Sequence, residues 1–265
     1  MDKLLTAGEF AKLASTTKRT ILFYDEKGVL KPAKINSAKY RYYLESQILD
    51  YQRILLLSTL GVSLEEIKIY LNNNGDLTKL FDDKKELIEQ QIKLLEFNMQ
   101  NLTKFQSNLK ANGTMVKPEV KVITPFDIYY IEKEGSYSQI GQYCDELSTM
   151  FEHKGKNFTT LAIFEEQGYR PEKSKIKIGV LGIKRMKVRK EYKDIVKHMT
   201  FNPGKVLTYT HKGSGSLLSL FWKGLEKYAK LKHFEVRTNI PDYEIYWKVN
   251  NDVTKQRFEI FLPIK

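Results

Sequence analysis

The sequence predicts an α+β fold in three parts: an N-terminal winged helix-turn-helix, a long coiled-coil helix, and a C-terminal module made of a duplicated β-α-β-β unit. Three observations predict it. Phe81, Ile88, Leu95, Leu102 and Leu109 recur seven apart through a stretch, 77–112, that holds neither Gly nor Pro. Before it lie two short helical patterns joined by a polar break, then a basic, tyrosine-rich stretch. After it, two Gly-Ser-x-Ser turns, Gly135–Ser138 and Gly213–Ser216, stand 78 residues apart at matching places in a repeated pattern. These features divide the chain at 1–74, 75–113 and 114–265.

The helix-turn-helix is read from local signals. Thr6 and Glu9 have the spacing of a capping box, and Phe10, Leu13 and Ala14 give the helix that follows an apolar side. Ser15-Thr16-Thr17 breaks it. A second helix opens with Thr17, Lys18 and Arg19, packs with Ile21, Leu22 and Tyr24, and ends at Gly28. Such a second helix enters a major groove with its N-terminus leading. Cations in a first turn oppose the helix dipole, a conflict that an anionic partner removes. From Ala33 to Tyr43 a wing carries Lys34, Lys39, Tyr40, Arg41, Tyr42 and Tyr43, cations beside phenols that suit phosphate contacts. A helix over about 45–60 stops at Gly61. Another begins at the capping box Ser63–Glu66 and runs to about Leu71.

The heptad row is widened by Ile92 and Met99, so one face of the long helix asks for a partner helix while Lys, Glu, Gln and Asn cover the rest. Gly113 is placed to end it as a left-handed cap. The row Phe81, Ile88, Leu95, Leu102 and Leu109 is the expected dimerisation seam of a homodimer.

In the C-terminal module the run Ile128–Ile131 leads to the first Gly-Ser turn, and a helix follows with Ile140, Cys144, Leu147 and Phe151 on one side. Val206–Tyr209 leads to the second turn and a helix with Leu217, Phe221, Leu225 and Tyr228. The strand pairs are Thr160–Phe164 with Lys175–Ile183, and Tyr243–Lys248 with Gln256–Ile264. Strand alternation puts Glu244, Tyr246 and Lys248 on one face and Tyr243, Ile245 and Trp247 on the other.

Composition narrows the partners. The formal charge of +12 favours a polyanion, and its placement adds weight: Ala11–Leu44 holds eight cations against Asp25 and Glu26. No apolar run approaches the ~20 residues of a membrane span, and the N-terminus lacks a signal-peptide layout, so a cytoplasmic protein with no membrane partner is expected. A single cysteine, Cys144, makes neither an internal disulfide nor a thiolate metal site, and reads as a small buried residue. His198 and His211 are isolated in sequence. No metal and no cofactor are expected. The basic run Lys184–Lys190 reads as a solvated loop or strand edge, with extra contact to DNA or an anionic partner as the alternative.

Two resemblances follow from these residues. Thr20–Pro32, Tyr40–Tyr43 and Leu60–Ile67 resemble the reading head of MerR-type regulators, departing at Leu22, where the family usually has Arg, and at Lys39, where it usually has Gly. The resemblance implies a dimer joined by an antiparallel coiled coil. It also implies double-stranded promoter DNA as partner, with Thr17, Lys18, Arg19, Tyr24, Lys34, Lys39, Tyr40, Arg41 and Tyr43 as candidate contacts. Such proteins distort an overlong promoter spacer so that RNA polymerase can engage both of its elements, an indirect partnership carried by DNA deformation.

Tyr243–Trp247 and Phe258–Ile264 resemble the gyrase-inhibitor-like ligand-binding domain. That likeness implies a groove between two helices over a sheet, with Glu244 as its central acid and a lipophilic, often cationic, small molecule as ligand. Trp222, Tyr137, Tyr169, Phe164 and Tyr246 are the aromatic residues expected nearest. The expected function is a ligand-responsive transcription activator rather than an enzyme. Two alternatives stay open: hydrolysis of a reactive small molecule, with Glu244 and Tyr137 as base and acid, and simple drug sequestration.

Overall fold

Thr6 ends one element and starts the next. It closes strand β1 (Leu4–Thr6), and its side chain accepts from the Glu9 N–H at 3.3 Å while its own N–H donates to Glu9 Oε2 at 2.8 Å, starting α1 (Ala7–Leu13). The computed structural model describes residues 2–72, 76–152, 158–166, 172–182 and 186–265. The chain divides into two units, Met1–Lys93 and Leu94–Lys265.

In the first unit, α2 (Lys18–Lys27) is capped by Thr17, whose hydroxyl accepts from the Thr20 N–H at 3.1 Å. Gly28 ends it at φ 75°, a left-handed conformation that a residue without Cβ adopts at no steric cost. The wing is β2 (Lys34–Ile35) and β3 (Arg41–Leu44), and β1 joins it in the antiparallel order β1-β3-β2. Helix α3 (Ile48–Thr59) follows a single 3₁₀ turn. Helix α4 (Leu64–Asn72) starts at the expected capping box, with the Ser63 N–H donating to Glu66 at 2.7 Å. Phe10, Ile21, Leu30, Ile54, Leu57 and Ile67 form the core, each contributing about 1.5–3 kcal/mol on burial.

Tyr43 corrects one expectation. It sits on the central strand opposite Leu5, fully buried, its ring 5.1 Å from that of Phe10. A phenol so enclosed cannot reach a phosphate, and Tyr43 is a core residue.

Helix α5 (Leu77–Asn112) ends at Gly113, whose N–H bonds back to the Leu109 carbonyl at 3.0 Å with φ 73°. Phe81, Ile88, Leu95, Leu102 and Leu109 are all exposed, Leu95 by 67% and Leu102 by 64%, as are Ile92 and Met99. In the second half of the helix, Phe105 and Asn108 turn inward instead. Phe105 lies 5.7 Å from Phe221, and Asn108 donates to the Met115 carbonyl at 2.7 Å.

The second unit is an eight-stranded antiparallel sheet with two helices against one face. Its strands are β4 (Glu119–Ile123), β5 (Phe126–Gly135), β6 (Thr160–Phe164), β7 (Ser174–Val180), β8 (Lys197–Phe201), β9 (Gly204–Lys212), β10 (Asp242–Lys248) and β11 (Arg257–Pro263). Helix α6 (Ile140–Thr149) follows β5, and α7 (Leu218–Leu231) follows β9. The order β4-β9-β11-β10-β6-β7-β5-β8 reads the same from either end once the two repeats are exchanged. The repeats meet at β10 and β6, where Glu244 faces Ala162. Each repeat also has an edge strand beyond the expected β-α-β-β, and the edges are swapped: β4 precedes β5 but pairs with β9, and β8 precedes β9 but pairs with β5.

Two details differ from expectation. Phe151 lies beyond the end of α6, although fully buried, and Leu217 sits in the 3₁₀ turn before α7, exposed. Ile183 falls outside the described residues.

Lys39 occupies the tip of the wing at φ 61°, where the backbone favours Gly. Lys39→Gly is expected to stabilise the N-terminal unit by about 1 kcal/mol, the ordinary cost of a left-handed non-glycine residue. Denaturant unfolding of the full chain, followed by a probe in that unit, measures it. A destabilised variant would contradict the account of this turn.

Candidate functional site

Two sets of side chains stand out, one in each unit. In the first, Thr17, Lys18 and Arg19 are exposed in the opening turn of α2, and Lys34, Lys39 and Tyr40 are exposed on the wing. Arg41 is half-exposed, and its Nε donates to Asp25 on α2, so it ties wing to helix while four further N–H groups remain. Tyr24 is partly buried, its ring 6.1 Å from Tyr51. Leu22 packs against the core, so an apolar side chain stands where the resembling family carries a cation. Phe23, not singled out by the sequence reading, is exposed on the same helix with the Lys27 ammonium 5.6 Å from its ring centre.

The second set surrounds Glu244. Pairing of β10 between β11 and β6 puts Glu244 in the middle of the sheet on the helix-bearing face. Its carboxylate is buried. Trp222 on α7 donates its indole N–H to Oε1, and the Tyr246 hydroxyl donates to Oε2 at 2.7 Å. Both donors are neutral, and no Lys, Arg or His forms an ion pair with Glu244 among the described residues. Burial raises the pKa of Glu244, and the two hydrogen bonds oppose that only in part. The Tyr246 hydroxyl is raised as well, by burial first and then by Glu244.

Glu244 and Tyr246 line a cleft of about 1230 Å³ together with Tyr137, Phe164, Phe258 and Cys144. The Tyr137 and Phe164 rings lie 5.1 Å apart, and Phe164 meets Trp222 edge-on at 6.5 Å. Five of the six expected ligand-site residues therefore come together, with Trp222 placed as a donor behind the wall. The sixth, Tyr169, lies outside the described residues. Cys144 and Phe258 were not anticipated as cleft residues. Burial pushes the Cys144 thiol up to about 11, so it faces the cleft as an apolar group and not as a thiolate.

Other candidates resolve into structural roles. His211 is buried against Phe221 with ring centres 4.3 Å apart, and burial pushes its pKa down to about 4. Of the basic run, Lys187 pairs with Glu152 at 3.0 Å and Arg189 donates to the Phe151 carbonyl at 3.1 Å, while Lys184 and Arg185 lie outside the described residues. Among the described residues no group of three or more His, Cys, Asp or Glu could hold a metal ion. No helix there is long and apolar enough to cross a membrane.

The fold and these two sites define a helix-turn-helix head joined to a cleft-bearing small-molecule module. Residues 5–74 match the family of MerR helix-turn-helix regulatory proteins, and residues 117–265 match the GyrI-like small-molecule-binding domain. The chain belongs to the GyrI-like family, with a MerR-type head.

Among similar proteins, the multidrug-efflux transporter 1 regulator of Bacillus subtilis is 34% identical over 68 residues, 25% of this chain and 24% of the relative. The transcriptional activator mta of the same organism is 25% identical over 113 residues, 42% of this chain and 44% of the relative. The matched stretches thus span less than half of either relative. A cryo-EM structure of an EcmrR–DNA complex aligns over 98% of this chain and 99% of that one, at 17% identity and a TM-score of 0.48.

Asp242, two residues before Glu244 on β10, supplies a pH test. Burial, reinforced by Glu226, pushes its pKa up to about 7 from 3.8. The native state then holds a proton that the unfolded chain has released, so stability falls as pH rises from about 4 to about 7. Asp242→Asn is expected to match the parent near pH 4 and to exceed it by on the order of 2 kcal/mol at pH 8. Parallel stability–pH curves for the two proteins would show that Asp242 is not the raised acid described.

Proposed function

We propose that the chain is a ligand-responsive transcription regulator, an activator, that binds promoter DNA as a homodimer and is controlled by a lipophilic cation held at Glu244. The observation that carries this reading is the buried carboxylate of Glu244, whose hydrogen-bond donors among the described residues are the neutral Trp222 and Tyr246, with aromatic rings around it. Such a group is costly in its ionised form unless a cation arrives. A ligand cation against the rings gains about 0.5–2 kcal/mol beyond the charge pairing. The positive charge of the chain acts against it only weakly, because fields are screened beyond about 8 Å at physiological salt.

Support for the DNA-binding part lies in the exposed Lys18 and Arg19, set in a helix N-terminus where they are unfavourable without an anion. The exposed α5 seam supports the dimer. A row of apolar side chains facing water over five heptad positions is stabilised by a second copy of itself, and a two-fold dimer presents paired heads to paired half-sites. Distortion of the promoter spacer is the mechanism such a dimer would use, drawing on backbone contacts made only by bent DNA.

The reading is tested on the full-length protein with DNA from upstream of its own gene, with and without a lipophilic cation such as tetraphenylphosphonium. Arg19→Ala is expected to weaken DNA binding about tenfold and to lower the salt dependence by about one charge, while Tyr43→Phe leaves contacts unchanged. Glu244→Gln is expected to keep DNA binding but weaken the cation at least about tenfold. Cation binding that ignores Glu244→Gln, or DNA binding that ignores Arg19→Ala, would overturn the corresponding half.

A further inference from the structure

We propose that α7 couples the hydrogen-bonding state of Glu244 to the second half of α5, with Trp222 reading the cleft and Phe221 gripping the helix. The inference rests on Glu244 as the ligand-facing group of the proposed function, and it adds the route by which occupancy of that site is felt outside it.

Trp222 and Phe221 are consecutive on a helix, so their side chains leave it about 100° apart. Trp222 donates to the cleft-lining Glu244 from behind the wall. Phe221 is fully buried on the other side, 5.7 Å from Phe105 of α5, 5.4 Å from Tyr209 and 4.3 Å from His211. Three further contacts fix α7 and its entry turn to the same stretch. The Lys227 ammonium donates to the Gly113 carbonyl, at the end of α5, at 3.1 Å. A Cβ on Gly224 would lie 3.2 Å from Val116, and one on Gly213 would lie 3.0 Å from His211 Nε2 and 3.5 Å from Phe97 of α5. The turn after Gly213 also lines the cleft, through Gly215 and Ser216. One element therefore touches ligand space on one side and α5 on the other.

The duplication supplies an internal comparison. The spacing of 78 residues between repeats puts Tyr143 and Cys144 of α6 where α7 has Phe221 and Trp222. Tyr143 bonds Gln139 of the preceding turn at 3.0 Å and lies under the Lys133 ammonium at 5.5 Å. Among the described residues no ring of α6 stacks on α5. Cys144 has no N–H to offer Glu244. Two helices of common design flank the cleft, and α7 alone has both connections. Close-packed interiors pass a displacement on instead of absorbing it. A ligand that takes Glu244 from the indole frees α7 to shift, and α5 moves with Phe221.

The test needs no ligand, which separates it from the reading on which it rests. Hydrogen exchange is measured across Phe97–Asn108 of α5 in the full-length protein. Trp222→Phe keeps a ring and removes the N–H. It is expected to change exchange there about tenfold, and Glu244→Leu, which removes the acceptor, to change it in the same direction. Cys144→Ser on α6 is expected to leave α5 as in the parent. In a Phe221→Leu background the effect of Trp222→Phe is expected to disappear, the non-additivity of residues acting through one contact. Unchanged α5 exchange in both Trp222→Phe and Glu244→Leu overturns the inference, as does an equal change from Cys144→Ser or strict additivity with Phe221→Leu. Those failures would leave cation binding at Glu244 standing. Failure of cation binding, with the coupling intact, would remove the ligand and leave the contact route.

Discussion

A carboxylate buried without a cation is the constraint on which the C-terminal module turns. Glu244 lies in the middle of an eight-stranded sheet, beneath helices, and its hydrogen-bond partners among the described residues are an indole and a phenol. An indole N–H can donate and never accept, so while the cleft is empty Oε1 is the acceptor of that bond whether or not Glu244 carries a proton. When Glu244 carries a proton it sits on Oε2 and is donated to the Tyr246 oxygen. When Glu244 is ionised, Tyr246 donates instead. The site therefore has two hydrogen-bond arrangements in one geometry, and the charge on Glu244 decides between them. The duplicated fold makes this possible by being unequal. Where one repeat places Glu244 the other places Ala162, and where one helix carries Trp222 the other carries Cys144.

The long helix α5 joins two kinds of surface that obey different rules. Its heptad face is apolar and exposed, a standing cost that the proposed association with a second copy would relieve. Its other face, in the second half, has already found its partner within the unit through Phe105 and Asn108. A helix with one face committed inside the unit and the other available outside it is suited to carry a change from one to the other, because a continuous hydrogen-bonded helix bends little over a few turns.

What could be read from the sequence was whatever is encoded locally. Both capping boxes and the glycines that end helices at 28, 61 and 113 are signals written within a few turns of chain and appear as read, and the apolar row at heptad spacing lies exposed. Residues whose role depends on distant pairing were harder. Tyr42 and Tyr43 are indistinguishable in Arg-Tyr-Tyr-Leu until the register of β3 against β1 is known, and that register buries Tyr43 opposite Leu5. β1 is three residues long, too short for alternation to mark. The edge strands β4 and β8 pair with the opposite repeat, a swap that no local pattern records. Alternation placed Glu244 and Tyr246 on one face, but singling out Glu244 needed the family likeness, and its bond to Trp222 spans a separation of 22 residues. Phe105 and Asn108 leave no periodic trace beside the stronger heptad row.

The central claim is that burial makes Glu244 harder to ionise while the cleft is empty and that a bound cation reverses this. Calorimetric titration of the full-length protein with tetraphenylphosphonium, repeated across a range of pH in buffers of different ionisation enthalpy, counts the protons released on binding. Proton release on binding the cation over part of that range, absent in Glu244→Gln and for the neutral triphenylphosphine oxide, is the predicted result. A cation that binds at Glu244 with no proton released at any pH would contradict the claim.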